Sequence, residues 1–238
     1  MRISFKPQKS LLAVAFGVFL SIGTRAASIN YILNQSNVDA AMPDGNPYAT
    51  VMVEDGVTLG SDINAVKFTV KIIDSAFSSQ GVTKGNNFGI DDFGFNIASG
   101  APTVLDSNIV SSSGWAGNIA PPPNQLDGFG RFAGEIKGNT RLNTLIFWIT
   151  GVTGDSIGSY AAPSSGNAGQ GNAWFAAHIA GFSITNSTET GAYFGGGNGF
   201  VQPDIGPVAP VPLPAALWFF VTALVGGYFS THKKVAVR

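Results

Sequence analysis

Strict alternation of apolar and polar residues is the feature of this sequence that most limits how the chain can fold. In the stretch NAVKFTVKIID, the apolar residues share one side of an extended chain, and the lysines and threonine between them share the other side. The apolar residues are Val66, Phe68, Val70 and Ile72. A period of two fits a half-buried β-strand and does not fit a helix, whose period is 3.6. The alternation therefore predicts a strand that covers a core with one face.

Several other segments have the composition of strands. NTLIFWITG (143–151) and AWFAAHIAGFSI (173–184) are apolar and rich in β-branched or aromatic residues, and YATVMVE, FGIDDFGFNI and GFGRFAGEI are shorter candidates. Turn-forming clusters such as PDGNP, KGNN and PSSGNAGQGN separate them. No helix-length periodic segment lies between them. Residues 27–200 are therefore predicted to form an all-β domain, either an antiparallel sandwich or a jelly roll.

Charge is unevenly distributed along the chain. All 14 acidic residues lie between residues 27 and 212, against 6 basic ones, so this middle part has a net charge of −8. An acidic domain is a poor partner for a nucleic-acid backbone, which is bound by clustered Lys and Arg. The absence of cysteine excludes a disulfide framework and a thiol nucleophile. The remaining basic residues lie at the two ends of the chain, where they favour a role in membrane topology.

The N-terminal segment has the parts of a secretory signal peptide. Basic residues precede an apolar run of 12 residues (11–22), which is too short to span a bilayer comfortably, and small residues follow it. Thr24 and Ala26 suit the −3 and −1 positions of a cleavage site. We therefore assign residues 1–26 as a signal peptide that is cleaved between Ala26 and Ala27.

The C-terminal segment resembles a membrane anchor. A Gly- and Pro-rich stretch begins at Gly195, and we assign residues 201–210 as a linker. An uncharged helix over 213–229 would span about 26 Å, the short limit for a transmembrane helix. Pro214 is tolerated in its first turn, and Trp218 and Tyr228 are suited to the membrane interfaces. The basic residues after the helix would remain in the cytoplasm: Lys233, Lys234 and Arg238.

The order of these C-terminal elements resembles the PEP-CTERM protein-sorting signal. Its core is VPLPA, followed by LW, which is similar to the VPLPA variant of that signal, and residues 211–238 make up the whole element. The motif residues are Val211, Pro212, Leu213, Pro214 and Ala215. Leu213 stands between the prolines where the signal's name-giving motif has Glu, and the basic tail is less compact than usual in that family.

The resemblance implies that the chain is the substrate of an exosortase, a membrane-embedded cysteine transpeptidase that would cut near the proline motif. It implies a Gram-negative host, a transient inner-membrane intermediate and a final place at the cell surface or in the extracellular matrix. It also implies association with exopolysaccharide or biofilm matrix. On this interpretation the protein is not an enzyme, and the catalytic cysteine belongs to its partner.

Residues suited to catalysis are sparse. His178 is the one histidine of the exported part, and the sequence has no G-x-S-x-G elbow and no H-E-x-x-H motif. A lone histidine in an apolar strand is more often a hydrogen-bonded structural residue than a ligand. Asp91 and Asp92 are adjacent, so in a regular strand they would point to opposite faces and could not flank one bond. A secreted hydrolase with His178 as its base is therefore the least favoured alternative.

Two kinds of ligand are open alternatives. Trp115, in the loop-like context SSSGWAGN, could stack on a sugar, and it is the candidate contact of a carbohydrate-binding or adhesive module, whereas Trp148 and Trp174 are expected in the core. Calcium takes oxygen ligands in loops, so it is a candidate ion for acidic residues in Gly- and Asn-rich contexts, although no EF-hand loop is present. These weak candidates are Asp91, Asp92, Asp127 and Asp155. Solvated turn aspartates are the simpler interpretation.

Overall fold

A computed structural model describes residues 27–185 and 187–197, without the side chains of residues 120–123. In this part of the chain the secondary structure is almost entirely β. The strands are β1 (Ser28–Ser36), β2 (Ala49–Leu59), β3 (Asp62–Ile72), β4 (Val82–Phe95), β5 (Ile109–Ser111), β6 (Trp115–Leu126), β7 (Gly130–Leu142), β8 (Thr144–Ile149), β9 (Phe175–Ile184) and β10 (Gly191–Gly196). A short helix, α1 (Asp74–Ser79), and two 3-10 turns, Asp106–Asn108 and Ile157–Tyr160, complete the set.

The strands form one continuous hydrogen-bonded sheet in the order β5-β8-β3-β2-β1-β10-β9-β4-β7-β6, and every neighbouring pair is antiparallel. The two end strands approach each other, as the position of Ile109 shows. Its side chain in β5 lies directly over Gly117 in β6. This approach protects strand edges that would otherwise be open to pairing with other chains. The predicted all-β antiparallel class is confirmed.

A phenylalanine-rich core lies between the two halves of the sheet, an arrangement consistent with a sandwich. Phe68 of β3 stacks on Phe147 of β8, with ring centroids 4.6 Å apart and planes 6° apart. Across the core, the same ring lies 5.5 Å from Phe95 of β4 and 6.4 Å from Phe175 of β9. Tyr160 meets it edge-on at 5.0 Å. Large aromatic rings in such contacts supply much of the apolar burial that stabilises a domain of this size.

The alternating stretch behaves as predicted. The four apolar residues at 66, 68, 70 and 72 are buried in β3, and Lys67, Thr69 and Lys71 between them are not. The segments 143–151 and 173–184 also contain strands, β8 and β9. Gly195 and Gly196, which we grouped with the start of the linker-like stretch, instead pair with β9 and β1 as the end of β10.

Both ends of the chain lie outside the described residues. The signal peptide, its cleavage position at Ala26, the linker over 201–210, the VPLPA motif and the basic tail therefore stay predictions. None of the helices within residues 27–185 and 187–197 is both long and apolar enough to cross a membrane.

Candidate functional site

A row of polar side chains crosses four neighbouring strands on the face that points away from the main core. Lys137 of β7 is in register with Asp92 of β4, Asp92 with His178 of β9, and His178 with Tyr193 of β10. Directly opposed residues in antiparallel strands share one face, so these four side chains are neighbours. The rings of His178 and Tyr193 are 4.6 Å apart.

A β-bulge adds Asp91 to this row. The pairing of β4 with β9 shifts between Ile90 and Asp92, so that Asp91 and Asp92 together oppose His178. The Oδ1 atom of Asp91 lies 2.5 Å from Nδ1 of His178, and the Oδ2 atom of Asp92 accepts a hydrogen bond from the hydroxyl of Tyr193 at 3.4 Å. The expectation that the two aspartates point to opposite faces was wrong, because a bulge places two residues opposite one and breaks the alternation.

Arg141 fixes the other oxygen of Asp91. Its Nε donates to Oδ2 at 2.9 Å, and its Nη1 donates to the carbonyl of Asn87 at 3.4 Å. Burial alone would raise the pKa of Asp91, but the hydrogen bonds and charges of His178 and Arg141 outweigh burial and lower it below the usual value. Asp91 is therefore a carboxylate that orients both the imidazole and the guanidinium.

Asp92 has the opposite environment. Its side chain is almost fully buried, its Oδ1 has no hydrogen-bond partner among the described residues, and its Oδ2 lies 3.4 Å from Nζ of Lys137. Burial, and then the neighbouring charge of Glu135, raise the pKa of Asp92 to about 6. Burial, and then Asp92, also raise the pKa of Tyr193. Two adjacent carboxyl groups thus hold protons with very different affinities.

An open cleft of about 510 Å³ adjoins this row, and we call it the bulge cleft. It lies between two segments that leave the regular ladder, 85–88 of β4 and 138–141 of β7, both marked by shifts of strand register. Its lining residues are Asn86, Asn87, Asp91, Gly138, Asn139, Thr140 and Arg141. A second depression, of about 440 Å³, shares Asn87 and Arg141 with it and extends past Ser183 of β9 to Thr190, the residue before β10. Bulges of this kind are common next to functional sites.

The sequence analysis missed the bulge cleft, although the sequence contains a signal for it. The tripeptide Lys-Gly-Asn occurs at 84–86 and again at 137–139. The first copy belongs to KGNN, a predicted turn that the structure instead places inside β4. The structure places the two copies on neighbouring strands, with the asparagines Asn86 and Asn139 lining the same cleft.

His178 has half of the arrangement that a hydrolase would need. Its ring is oriented by a carboxylate, as in a catalytic triad. Among the described residues, however, no serine, threonine or tyrosine hydroxyl is hydrogen-bonded to His178. The pair therefore orients an imidazole without supplying a nucleophile.

The other calcium candidates lie far apart in the fold. Asp127 accepts a hydrogen bond from the amide of Asn37 at 3.0 Å, and Asp155 accepts one from the hydroxyl of Tyr160 at 2.6 Å and another from the amide of Ser156 at 2.9 Å. Within residues 27–185 and 187–197, no three His, Cys, Asp or Glu side chains are grouped so that they could hold a metal ion. Asp155 holds its own loop, and Asp127 joins the turn before β7 to the segment that follows β1.

The tryptophans are placed differently from the expectation. Trp115 begins β6 and is 7% exposed, with its ring packed over Gly138, so it is a core residue and not an open stacking surface in a loop. Trp148 and Trp174 were expected in the core, and both are half-buried. The turn-like context SSSGWAGN wrongly predicted an exposed loop position for Trp115. The residue directly follows the turn and, as the first residue of β6, faces inward.

Comparisons with protein-family models, with curated proteins and with solved structures found no match to this chain.

Proposed function

We propose that this chain is an exported, non-enzymatic protein of the cell surface or extracellular matrix, sorted by an exosortase and associated with exopolysaccharide or biofilm matrix. The single observation that carries the proposal is the order of elements at the C-terminus. The VPLPA motif at 211–215 is followed by an uncharged run long enough to reach across a thin bilayer and then by Lys233 and Lys234. In this scheme the antiparallel sandwich is the exported part.

The start of the β domain supports the proposed signal cleavage. The first strand begins at Ser28, and Ala27 before it is already bonded into the domain: its N–H donates to Oδ1 of Asp55 at 2.9 Å, and its carbonyl accepts the N–H of Asp55 at 3.0 Å. A cut between Ala26 and Ala27 would therefore release the apolar leader and leave the first strand intact.

The sorting step assigns different tasks to the C-terminal elements. The uncharged run would hold the substrate in the inner membrane, and the basic tail would prevent complete translocation. The exosortase would then supply the catalytic cysteine and cut near the proline motif. The chain itself contains no cysteine, so the thiol nucleophile has to come from the partner.

A carbohydrate-binding or adhesive module is the second candidate for the exported domain. Trp115 no longer supports it, because that ring is buried. The bulge cleft supports it instead, since this cleft is open and lined mainly by amide and hydroxyl side chains. The secreted hydrolase is less favoured, because His178 is oriented by Asp91 and no hydroxyl nucleophile is bonded to it among the described residues.

Mass spectrometry of both termini tests the sorting proposal. The protein is purified from its native envelope, and its first and last residues are determined. We expect a mature chain that starts at Ala27 and ends near the VPLPA motif. A chain that still carries Lys233, Lys234 and Arg238 would be an ordinary tail-anchored membrane protein, and the exosortase proposal would be wrong.

A further inference from the structure

The bulge cleft has walls that can both donate and accept hydrogen bonds. Asn86 and Asn87 of β4 and Asn139 and Thr140 of β7 are exposed and line the cleft from its two sides. An asparagine amide offers two donors and an acceptor, and a threonine hydroxyl offers one donor and accepts as well. A ligand that matches such walls must itself carry groups of both kinds at short intervals, as the hydroxyls of a sugar do.

The charges around the cleft are already neutralised within the protein. Arg141 is paired with Asp91 at 2.9 Å. Lys84, which lines the adjoining depression, is paired with Asp74 at 2.9 Å. A phosphate or carboxylate ligand would have to compete with these carboxylates for the cations. The strongly negative charge of the exported domain also repels polyanions at a distance. Both observations favour an uncharged ligand.

The cleft is also held in shape before any ligand arrives. Asp91 and the carbonyl of Asn87 hold the guanidinium of Arg141, which forms the wall shared with the neighbouring depression. Gly181 has a φ of +82°, and a side chain on it would collide with the backbone carbonyl of Asn87, so β9 passes directly beneath the bulge. A preorganised site loses less conformational entropy on binding than a flexible one.

We propose that the bulge cleft and the adjoining depression along β9 bind a neutral carbohydrate chain. Several sugar units would lie across the Asn and Thr side chains of the two bulges, with Arg141 as a fixed donor between the two depressions. The inference deepens the proposed function, on which it rests for an extracellular setting where polysaccharide is present. It assigns the binding mainly to Asn and Thr side chains that were not among the ligand contacts expected from the sequence.

A binding experiment on the full chain tests this assignment. The chain is purified in a zwitterionic detergent that has no sugar headgroup. Binding to neutral oligosaccharides (maltohexaose, cellohexaose and mannohexaose) and to anionic ones (oligoalginate and oligogalacturonate) is measured by titration calorimetry. We expect binding to at least one neutral oligosaccharide and none to the anionic ones.

Variants locate the binding on the surface. The double variant Asn87→Ala/Asn139→Ala should weaken the affinity at least about tenfold, whereas Asn143→Ala, at an exposed asparagine outside the cleft, should leave it within about twofold. Circular dichroism and thermal unfolding show that the variants remain folded.

Three results would overturn the assignment: no binding to any neutral oligosaccharide, a preference for the anionic ones, or an unchanged affinity in the double variant. The result is independent of the sorting proposal. The full chain carries the cleft whether or not an exosortase processes it, and the terminal masses alone decide the sorting question.

Discussion

Asp92 and Lys137 form an uneven ion pair, in which Oδ2 of the aspartate lies 3.4 Å from Nζ of the lysine while their side chains are 4% and 65% exposed. Water screens the exposed lysine, so its attraction does not offset the hydration that the buried carboxylate loses. Glu135 adds a second negative charge nearby, and its carboxylate lies 3.5 Å from the same lysine. Folding therefore stabilises the neutral form of Asp92 relative to the unfolded chain.

The raised pKa of Asp92 predicts that stability falls as the pH rises from about 4 to about 6. The pKa is about 6 in the folded protein and about 3.9 in an unfolded chain, so the folded state binds more protons in this window. The loss in free energy of unfolding should be on the order of 2 kcal/mol. Urea unfolding at a series of pH values measures it.

Asp92→Asn is the matching control, because the amide cannot ionise. Its free energy of unfolding should fall less than that of the wild type between pH 4 and pH 6, and the difference between the two proteins isolates Asp92 from other titrating groups. Asp91 acts in the opposite direction. Its lowered pKa gives stability that is lost at still lower pH, below the window. Identical pH profiles for wild type and variant would contradict the assignment.

Phe68 should be among the most costly core residues to truncate. It is fully buried, and its ring contacts aromatic rings on both halves of the sheet. Phe68→Ala should lower the free energy of unfolding by about 3–5 kcal/mol, since it removes apolar burial and leaves a cavity. Ile63→Ala, at a side chain that is 65% exposed, should change it by less than about 0.5 kcal/mol. Equal urea midpoints for the two variants would show that Phe68 is not at the centre of the core.

Gly138 is predicted to be intolerant of a side chain because it lies beneath Trp115. The two residues are paired between β7 and β6, and a Cβ on Gly138 would overlap the indole ring. Gly138→Ala should destabilise the domain by about 1–3 kcal/mol, as overpacking does, and shift the Trp fluorescence. Gly169→Ala, where a Cβ would meet no atom within 4 Å, is the control and should be nearly neutral. An unperturbed Gly138→Ala protein would mean that the ring lies elsewhere.

The strands with clear alternation could be predicted from local pattern alone. In β3 the apolar side is buried and the polar side is not. One face of the strand covers the core, and successive side chains point to opposite faces, so every second residue has to be apolar. The composition likewise indicated strands over helices, and the one α-helix in the described part of the chain, α1, has only six residues. Trp115 shows the limit of context. Its neighbours are turn residues, but its burial is decided by Gly138 on the next strand.

The candidate site depends on register, which the local pattern does not contain. Asp91 and His178 are separated by 87 positions in the chain and meet only because β4 pairs with β9 and is bulged at that point. The pattern FGIDDFGFNI contains no indication of the extra residue, so alternation assigned the two aspartates to opposite faces. The repeated Lys-Gly-Asn is present in the sequence, but it indicates a shared cleft only when β4 and β7 are known to be neighbours.

The contact between Ala27 and Asp55 predicts how cleavage affects stability. A cut after Ala26 would turn the Ala27 amide nitrogen, 2.9 Å from Oδ1 of Asp55, into a charged α-ammonium and the hydrogen bond into an ion pair. An α-amino group ordinarily titrates near pH 8, so this contribution is present below that pH and is lost as the pH rises above it. Because the contact is exposed, the melting temperature should fall by only about 1–3 °C between pH 7 and pH 9.5.

Two variants of the mature protein separate this effect from other titrations. Acetylation of the N-terminus removes the charge, and Asp55→Asn removes its partner while keeping an oxygen that can accept the N–H of Ile157, which lies 3.4 Å from Asp55 Oδ2. Both should reduce the difference in melting temperature between pH 7 and pH 9.5 by the same amount, because each removes the ion pair between the Ala27 α-ammonium and Asp55. If acetylation leaves the pH profile unchanged, the mature N-terminus does not pair with Asp55.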